Sequence, residues 1–384
     1  MVKRKLKGPF DLPSLPPNIN YGELVEHVAR AHTALARLDE MMKHMGNNLS
    51  HLESTFFTRE AVLSSKIEGT QVTLEDVLKE EAIDGNKTAE DSERERDMME
   101  VFNYRRALRR GLKMINEGES LAENNIKRLH HILLQSKRGR NRAPGEFRKD
   151  QVYIAPEGTP MEEARYIPPA AKDIPNLYSN FDRYLNVPES ERDALVQIAV
   201  AHYQFEAIHP FKDGNGRIGR LLIPLFLYKR KIIAHPLIYI SKYFEENRRD
   251  YYDLLADVSY EDNWTAWIRF FLHGLCEQAN EATELGRAII GLRDEYRSHL
   301  SDFHSTYAFS LLDKIFERPY FTPALIRKES NIKNRQTLLT LIDKFVDAKI
   351  LRDLTPDKKR NKLYEFHPLT SLLAARKINT KKKS

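Results

Sequence analysis

His209-Pro210-Phe211-Lys212-Asp213-Gly214-Asn215-Gly216-Arg217-Ile218-Gly219-Arg220 is a polar, glycine-bearing stretch between two apolar ones. Upstream, residues 194–201 (Ala-Leu-Val-Gln-Ile-Ala-Val-Ala) predict a buried helix running into Tyr203, Phe205 and Ile208. Downstream, residues 220–228 (Arg-Leu-Leu-Ile-Pro-Leu-Phe-Leu-Tyr) predict a second one. Polar groups held between two core helices cost free energy unless a ligand or water satisfies them. The stretch therefore reads as a site.

Its residue types name the chemistry. Asn215, Gly216 and Arg217 open the second helix, whose unpaired N–H groups and positive dipole end attract phosphate. Gly214 and Gly216 let the backbone take positive φ and approach a ligand closely. Arg217 and Arg220, three apart on a helix, can each fork onto phosphate oxygens. Asp213 suits magnesium, which takes one or two carboxylates plus phosphate oxygens. His209 titrates near neutral and can strip a proton from an attacking hydroxyl, worth roughly 10²–10⁴-fold in rate. Together these groups point to transfer of a phosphate-linked group to a hydroxyl. Gly214-x-Gly216-x-x-Gly219 also matches the dinucleotide fingerprint, but that needs a preceding strand and an acidic residue about 20 positions later. Here the preceding segment reads as helix and the first acidic residue after Gly219 is Glu245. The Rossmann reading fails.

The twelve residues resemble the Fic family motif, H-P-F-x-[D/E]-G-N-G-R-x-x-R, at every specified position. The resemblance implies a Fic fold that transfers AMP from ATP to a protein Ser, Thr or Tyr hydroxyl. It makes His209 the base and Asp213 the magnesium ligand. Asn215 with the amides of Gly214 and Gly216 would cradle the α-phosphate, and Arg217 and Arg220 would grip the outer phosphates. Phe211 would anchor the loop in the core.

Composition sets wider bounds. At 384 residues, the usual ~100–200 residues per domain gives two or three domains. A balance of 61 basic against 55 acidic residues permits phosphate or nucleic-acid partners without demanding them. The single cysteine, Cys276, excludes an internal disulfide and suits a reducing compartment; its apolar helical setting predicts a buried thiol. Met1–Lys7 is basic, yet Gly8-Pro9-Phe10-Asp11 follows it in place of an apolar run, so no secretory signal is expected. No stretch of about 18 apolar residues exists, so no membrane span is expected either. The expectation is a cytoplasmic protein.

Residues 1–20 are proline-rich and read as extended. Helical periodicity runs from Tyr21 to Met45 and, after Gly46-Asn47-Asn48, from Leu49 to Ile67, with Gly69 as C′ glycine. Ser64-Ser65-Lys66-Ile67-Glu68-Gly69 resembles the Fic inhibitory motif [S/T]-x-x-x-E-[G/N], and Ser64 and Glu68 stand i, i+4 on one helix face. The resemblance implies that Glu68 pairs bidentately with Arg220. ATP would then sit badly for attack. Residues 71–98, with Asp84-Gly85-Asn86 and a dense charge run, read as a loop or short turn entering a helix at Ser92. Ser120-Leu121-Ala122-Glu123 is a capping-box pattern for a helix through Leu134. His130 and His131 ride on it and face apart, which argues against a metal pair. Residues 144–156 read as one arm of a hairpin returning near Arg165-Tyr166-Ile167. A Fic fold carries a flap at this place that holds the target by strand addition. Val152, Tyr153, Ile154 and Ala155 would face the nucleotide or the target.

Beyond the motif, Tyr251 and Tyr252 match a Fic tyrosine pair that lies against adenine, and aromatic faces do stack on bases. Ser259 stands near a place where some relatives carry an Asn contacting the nucleotide, so that contact is in doubt here. A long helix follows from Asn263 to about Leu300, with Trp267, Phe270, Phe271 and Leu275 on one side. From Thr306 the pattern changes. Helices at Phe309–Phe316, from Thr322-Pro323 and over Asn334–Ile350 precede two alternating runs, Leu351–Leu354 and Lys362–Phe366. Three helices plus a hairpin resemble a winged helix. Lys333-Asn334-Arg335-Gln336-Thr337 would begin its recognition helix, and Lys358, Lys359, Arg360 and Lys362 its wing. Such groups neutralise DNA phosphates, and winged helices equally dock proteins or dimerise. The tail Lys381-Lys382-Lys383-Ser384 reads as disordered.

The reading is a mainly α protein: an N-terminal helical region bearing the inhibitory helix (1–100), a Fic catalytic core with a small β-hairpin flap (101–300) and a winged-helix-like domain (301–384). The expected function is magnesium-dependent transfer of AMP from ATP to a target protein and to the chain itself, held low by Glu68. Two alternatives stay open. One keeps the site but removes AMP or transfers another nucleotide or phosphate group; the other is a DNA-binding regulator whose Fic core senses nucleotide. A homodimer is compatible with each, and no membrane partner is expected.

Overall fold

Apolar periodicity produces fifteen α-helices among the residues described by the computed structural model, which are 11–45, 49–84, 92–155, 158–187, 192–303 and 305–374. In chain order they are α1 (Val25–Met45), α2 (Leu49–Ile67), α3 (Leu74–Asp84), α4 (Glu93–Asn116), α5 (Glu123–Leu133), α6 (Ile174–Leu185), α7 (Ala194–Ile208) and α8 (Asn215–Lys229). Then come α9 (Ile240–Glu246), α10 (Arg248–Glu261), α11 (Trp264–His299), α12 (Thr306–Glu317), α13 (Pro323–Glu329), α14 (Arg335–Asp347) and α15 (His367–Ala374). The chain divides into two units, residues 1–36, 60–71 and 90–279 in one, and 37–59, 72–89 and 280–384 in the other. The basic start Met1–Lys7, Gly46-Asn47-Asn48, Gly85-Asn86, Pro156 and the tail Lys381–Ser384 lie outside the described residues.

The first unit is built around α7. Thirteen of its fifteen residues are buried, so it has no solvent face and must be covered on all sides. Helices α6, α8 and α10 supply that cover, and α4 and α5 pack against α8 in turn. Gly111 of α4 lets the two backbones approach: a Cβ there would overlap the Leu225 side chain of α8. Trp267 of α11 buries its ring and donates its indole N–H to the Ala199 carbonyl of α7 (2.8 Å). His202, Phe244, Tyr251, Trp267 and Phe271 form one aromatic cluster against it. Ser92 caps α4 through a complete capping box with Glu95.

The second unit holds a three-stranded antiparallel sheet of order β1-β3-β2, formed by β1 (Tyr320–Phe321), β2 (Arg352–Asp353) and β3 (Tyr364–Glu365). Tyr320 pairs with Glu365 on one side of β3 and Arg352 pairs with Glu365 on the other. Thr322 and Asn334 cap α13 and α14 with their side chains. Leu78 and Ala82 of α3 bury against Tyr320 and Leu363. The three expected helices and the hairpin are present; β1 is an additional strand.

Four expectations need correction. The charged segment after Gln71 contains a real helix, α3, because Val77, Leu78 and Ala82 are buried at helical spacing among its charges. The capping box at Ser120 does not form: Ala122 is the N-cap and offers no side-chain bond, while Ser120 lies two residues too early. The flap hairpin reduces to a single bridge, Ile154 to Tyr166. Cys276 is half-buried, because it sits at the edge of α11's apolar stripe. No helix among the described residues is long and apolar enough to cross a membrane.

Candidate active site

Helix α7 ends at His209, whose φ of +48° places it in the left-handed region. Pro210 follows, and a residue before proline is disfavoured in the right-handed helical conformation. The His209 amide closes the helix onto the Phe205 carbonyl (3.0 Å). Its Nδ1 lies 3.3 Å from the Glu206 carbonyl, an acceptor only, so Nδ1 carries the proton. Nε2 is left with a lone pair and no hydrogen-bond partner among the described residues. The ring is half-buried, and burial brings its pKa down to about 4, so it is neutral near pH 7.

The loop after His209 is held from three directions. Arg148 is buried and donates to the carbonyls of His209 (2.9 Å), Ile208 (3.4 Å), Asp150 (3.1 Å) and Pro169 (2.5 Å). Asn215 spans the loop, accepting the Phe211 amide (2.8 Å) and donating to the Phe211 carbonyl (2.9 Å). Its side chain is thus a staple within the loop, and only its amide is left for an anion. Phe211 is fully buried, as expected, and stacks on His130 with centroids 3.8 Å apart and planes 8° from parallel. His130 accepts the Gly145 amide at Nδ1 (2.8 Å), so its Nε2 donates to the Asp213 carbonyl (2.9 Å). Gly214, with φ +79°, turns the chain into α8, and no side chain caps the helix start.

The charges face this helix start. Arg217, almost fully buried, donates to Glu100 of α4 (2.7 Å) and to Asp213 (3.1 Å). Burial pushes the Asp213 carboxyl up, but Arg217, the Gly214 amide and Arg142 together hold its pKa below the usual value. Arg220 is 1% exposed and meets α2: Nε donates to Ser64 Oγ (2.9 Å), and Nη2 to the Ser64 carbonyl (2.9 Å) and Glu68 Oε1 (2.5 Å). The expected bidentate pair is therefore a shared one, because Ser64 takes part of the guanidinium fork. Burial works against the Glu68 carboxylate, yet Arg220 and Arg217 outweigh it and lower its pKa. A Cβ at Gly216 would overlap the Glu68 carboxylate and the Arg220 guanidinium, so a side chain there would push this pair out of its present geometry. Two helical turns before Glu68 on the same face, Glu60 accepts from Tyr104 (3.3 Å) and from Ser241. Burial raises its pKa to about 8.

A cavity opens beside the last turn of α7, lined by Ile154, Arg165, Glu206, Tyr252, Leu255 and Ser259 among others. The Arg165 guanidinium lies 4.8 Å from the Tyr252 ring centroid. Tyr251 lies in the core behind it, 1% exposed, its hydroxyl against His202 Nε2 (2.9 Å). It supports Tyr252 and faces no ligand space. Ser259 Oγ is spent on the Tyr203 hydroxyl (2.9 Å). Of the four flap residues only Ile154 lines the cavity; Tyr153 is 45% exposed. Glu206 Oε1 is buried without a partner, and burial raises that carboxyl to about 8. Among the described residues no group of three His, Cys, Asp or Glu could hold a metal. Arg148, His130 and Glu100 shape the site and were given no role by sequence reasoning. Their partners lie far off in sequence or on the backbone, so no local motif marks them.

Two buried helices meeting across a left-handed histidine and a glycine-opened helix start define the Fic class of fold. The family models described as "Fic/DOC family N-terminal" and "Fic/DOC family" match residues 25–113 and 120–227. The chain belongs to the Fic/DOC family. It is similar to proteins named "Protein adenylyltransferase Fic" from Culex quinquefasciatus (37% identical over 127 residues) and Drosophila melanogaster (35% over 127). These matches cover 33% of this chain and about 22–23% of those proteins, so the chain spans under a quarter of the curated relatives' length. A solved Fic family protein from Desulfovibrio desulfuricans matches over 91% of this chain and 98% of its own, with TM-score 0.56 and 22% identity. Fic-1 from C. elegans matches over 71% of this chain and 75% of its own, with TM-score 0.50 and 21% identity. Both show a shared fold.

Proposed function

We propose that the chain is a protein adenylyltransferase that moves AMP from ATP to a Ser, Thr or Tyr hydroxyl of a target protein, and of itself, and that Glu68 holds this activity low. The contact that carries the reading is Arg220 shared between Ser64 and Glu68. Magnesium enters with ATP as substrate. Asp213 fits it: the carboxylate is ionised and half-exposed, and its Oδ2 lies 3.9 Å from Arg142, beyond hydrogen-bond range. A lone carboxylate beside a phosphate cradle is the donor set that such an ion takes. When bound, it would neutralise charge on the phosphates.

His209 Nε2 takes the proton of the incoming hydroxyl. The oxygen attacks the α-phosphorus, the bond from that phosphorus to the bridging oxygen breaks, and pyrophosphate leaves. The N–H groups at the start of α8 and the dipole of that helix stabilise charge on the α-phosphate. Arg217 and Arg220 face the outer phosphates. Tyr252, Ile154 and Leu255 offer the apolar wall an adenine ring needs. With Glu68 on Arg220, the γ-phosphate loses its cation and meets a carboxylate, so ATP settles with its α-phosphorus misplaced for His209. A displacement of about 1 Å is enough to cost 10²-fold in rate.

The test is label transfer onto protein from ATP labelled at the α- or the γ-phosphate. Glu68→Gly should raise α-label incorporation, and adding His209→Ala should abolish it. Equal labelling by Glu68→Gly and the unchanged chain removes the inhibitory role of Glu68. Label from the γ-position removes AMP transfer.

A further inference from the structure

We propose that the second unit carries a binding site for duplex DNA in the groove between α13, the start of α14 and the β2–β3 turn. Arg327 lines this groove from α13, Arg335 from α14, and Lys359, Arg360 and Lys362 from the turn. No carboxylate is among its lining residues. Lys362 is tied to Asp353 (2.7 Å), but Arg327, Arg335, Lys359 and Arg360 make no ion pair among the described residues. Arg293 and Arg318 in the same unit are by contrast paired, with Asp313 (2.8 Å) and Glu329 (3.1 Å). Four cations held on three elements around one concavity, without counter-charge, repel one another, and a polyanion relieves that.

The neighbouring residues favour duplex DNA over an acidic peptide. Lys333, Asn334, Arg335 and Gln336 stand exposed at the head of α14, and arginine and glutamine are the side chains that pair bidentately with guanine and adenine edges. The turn beside them, Lys358 to Asn361, is exposed throughout, so a helix head is flanked by a basic ribbon. That pairing puts base-reading groups between phosphate-neutralising ones, which an isolated acidic side chain would leave unused. Asn361 at φ +53° aims the turn back toward β3. The proposal does not rest on nucleotidyl transfer, because every residue it uses lies in residues 322–364.

Binding of a short fluorescent duplex to the full chain at about 50 and about 200 mM salt tests it. Four neutralised phosphates give a slope of log affinity against log salt of about −3.6, a loss near 150-fold over that range. Arg327→Ala/Arg360→Ala, which removes two of the phosphate-facing cations, should weaken binding at low salt and reduce the slope by about 1.8. The charge-matched Lys172→Ala/Arg183→Ala, both exposed in the first unit, should leave the slope as it was. Circular dichroism of each variant keeps misfolding apart from lost contacts. Absence of duplex binding overturns the proposal, and so does equal weakening by both double variants. Displacement of the duplex by poly-glutamate at equal charge concentration overturns it in favour of protein docking.

Discussion

His209 has its protonation settled by one hydrogen bond and by burial. The Glu206 carbonyl fixes the proton on Nδ1, and burial removes the imidazolium form down to about pH 4. The ring therefore keeps an Nε2 able to accept a proton well below the ordinary histidine value of 6.5, as the proposed base requires. In the Glu68→Gly background, AMP incorporation at low ATP should keep its acid limb near pH 4. A half-fall near pH 6.5 would mean that the ring is solvated in the working protein. That Asp213, Arg217 and Arg220 gather at one helix start was readable from spacing, because a helix start fixes where three- and four-apart side chains point. Arg148 was not. It sits in a segment read as a hairpin arm, and its partners are four backbone carbonyls from three places in the chain. Glu100 was hidden for a related reason: it is one carboxylate in a charge-rich helix, and only the α4–α8 crossing singles it out.

At the scale of elements, long helices with one apolar face were legible and short or polar ones were not. Both α7 and α8 follow from runs that bury nearly every residue, whereas α3 hides three buried positions among carboxylates and a lysine. The flap shows the opposite error. Its β-branched and aromatic residues fit a strand, but Pro and Gly at either end leave room for one bridge only. What places Glu100 against Arg217 is the close crossing of α4 and α8 at Gly111 and Leu225. Gly111→Ala inserts a methyl group into a filled contact, where overpacking costs about 1–3 kcal/mol. Alanine's better helix propensity offsets about 1 kcal/mol of that. Urea unfolding should give a net loss, partly recovered in Gly111→Ala/Leu225→Val, where the smaller partner makes room. A gain in stability for the single variant would mean that the helices slide apart freely.

Over the whole molecule, the first unit buries both kinds of titrating group in their neutral forms, and this sets a pH profile. Burial raises Glu60 and Glu206 from 4.5 to about 8. Burial also lowers His130 and His209 from 6.5 to about 4, and His202 to about 3. Between pH 6.5 and 8 the folded state holds two carboxyl protons that the unfolded chain has released. Stability therefore falls as pH rises through that window, by up to about 1.4 kcal/mol per pH unit for each proton. Below 6.5 the unfolded chain takes up three imidazole protons that the folded state refuses, which opposes the carboxyl contribution and turns the slope around. Thermal midpoints should peak near pH 6.5 and decline toward pH 8. In Glu60→Gln the decline should be shallower, since one of the two retained protons no longer titrates. Midpoints that climb from pH 6.5 to 8 would mean that water reaches these carboxyls and they ionise in place, leaving Arg220 with three carboxylates around it instead of Glu68 alone.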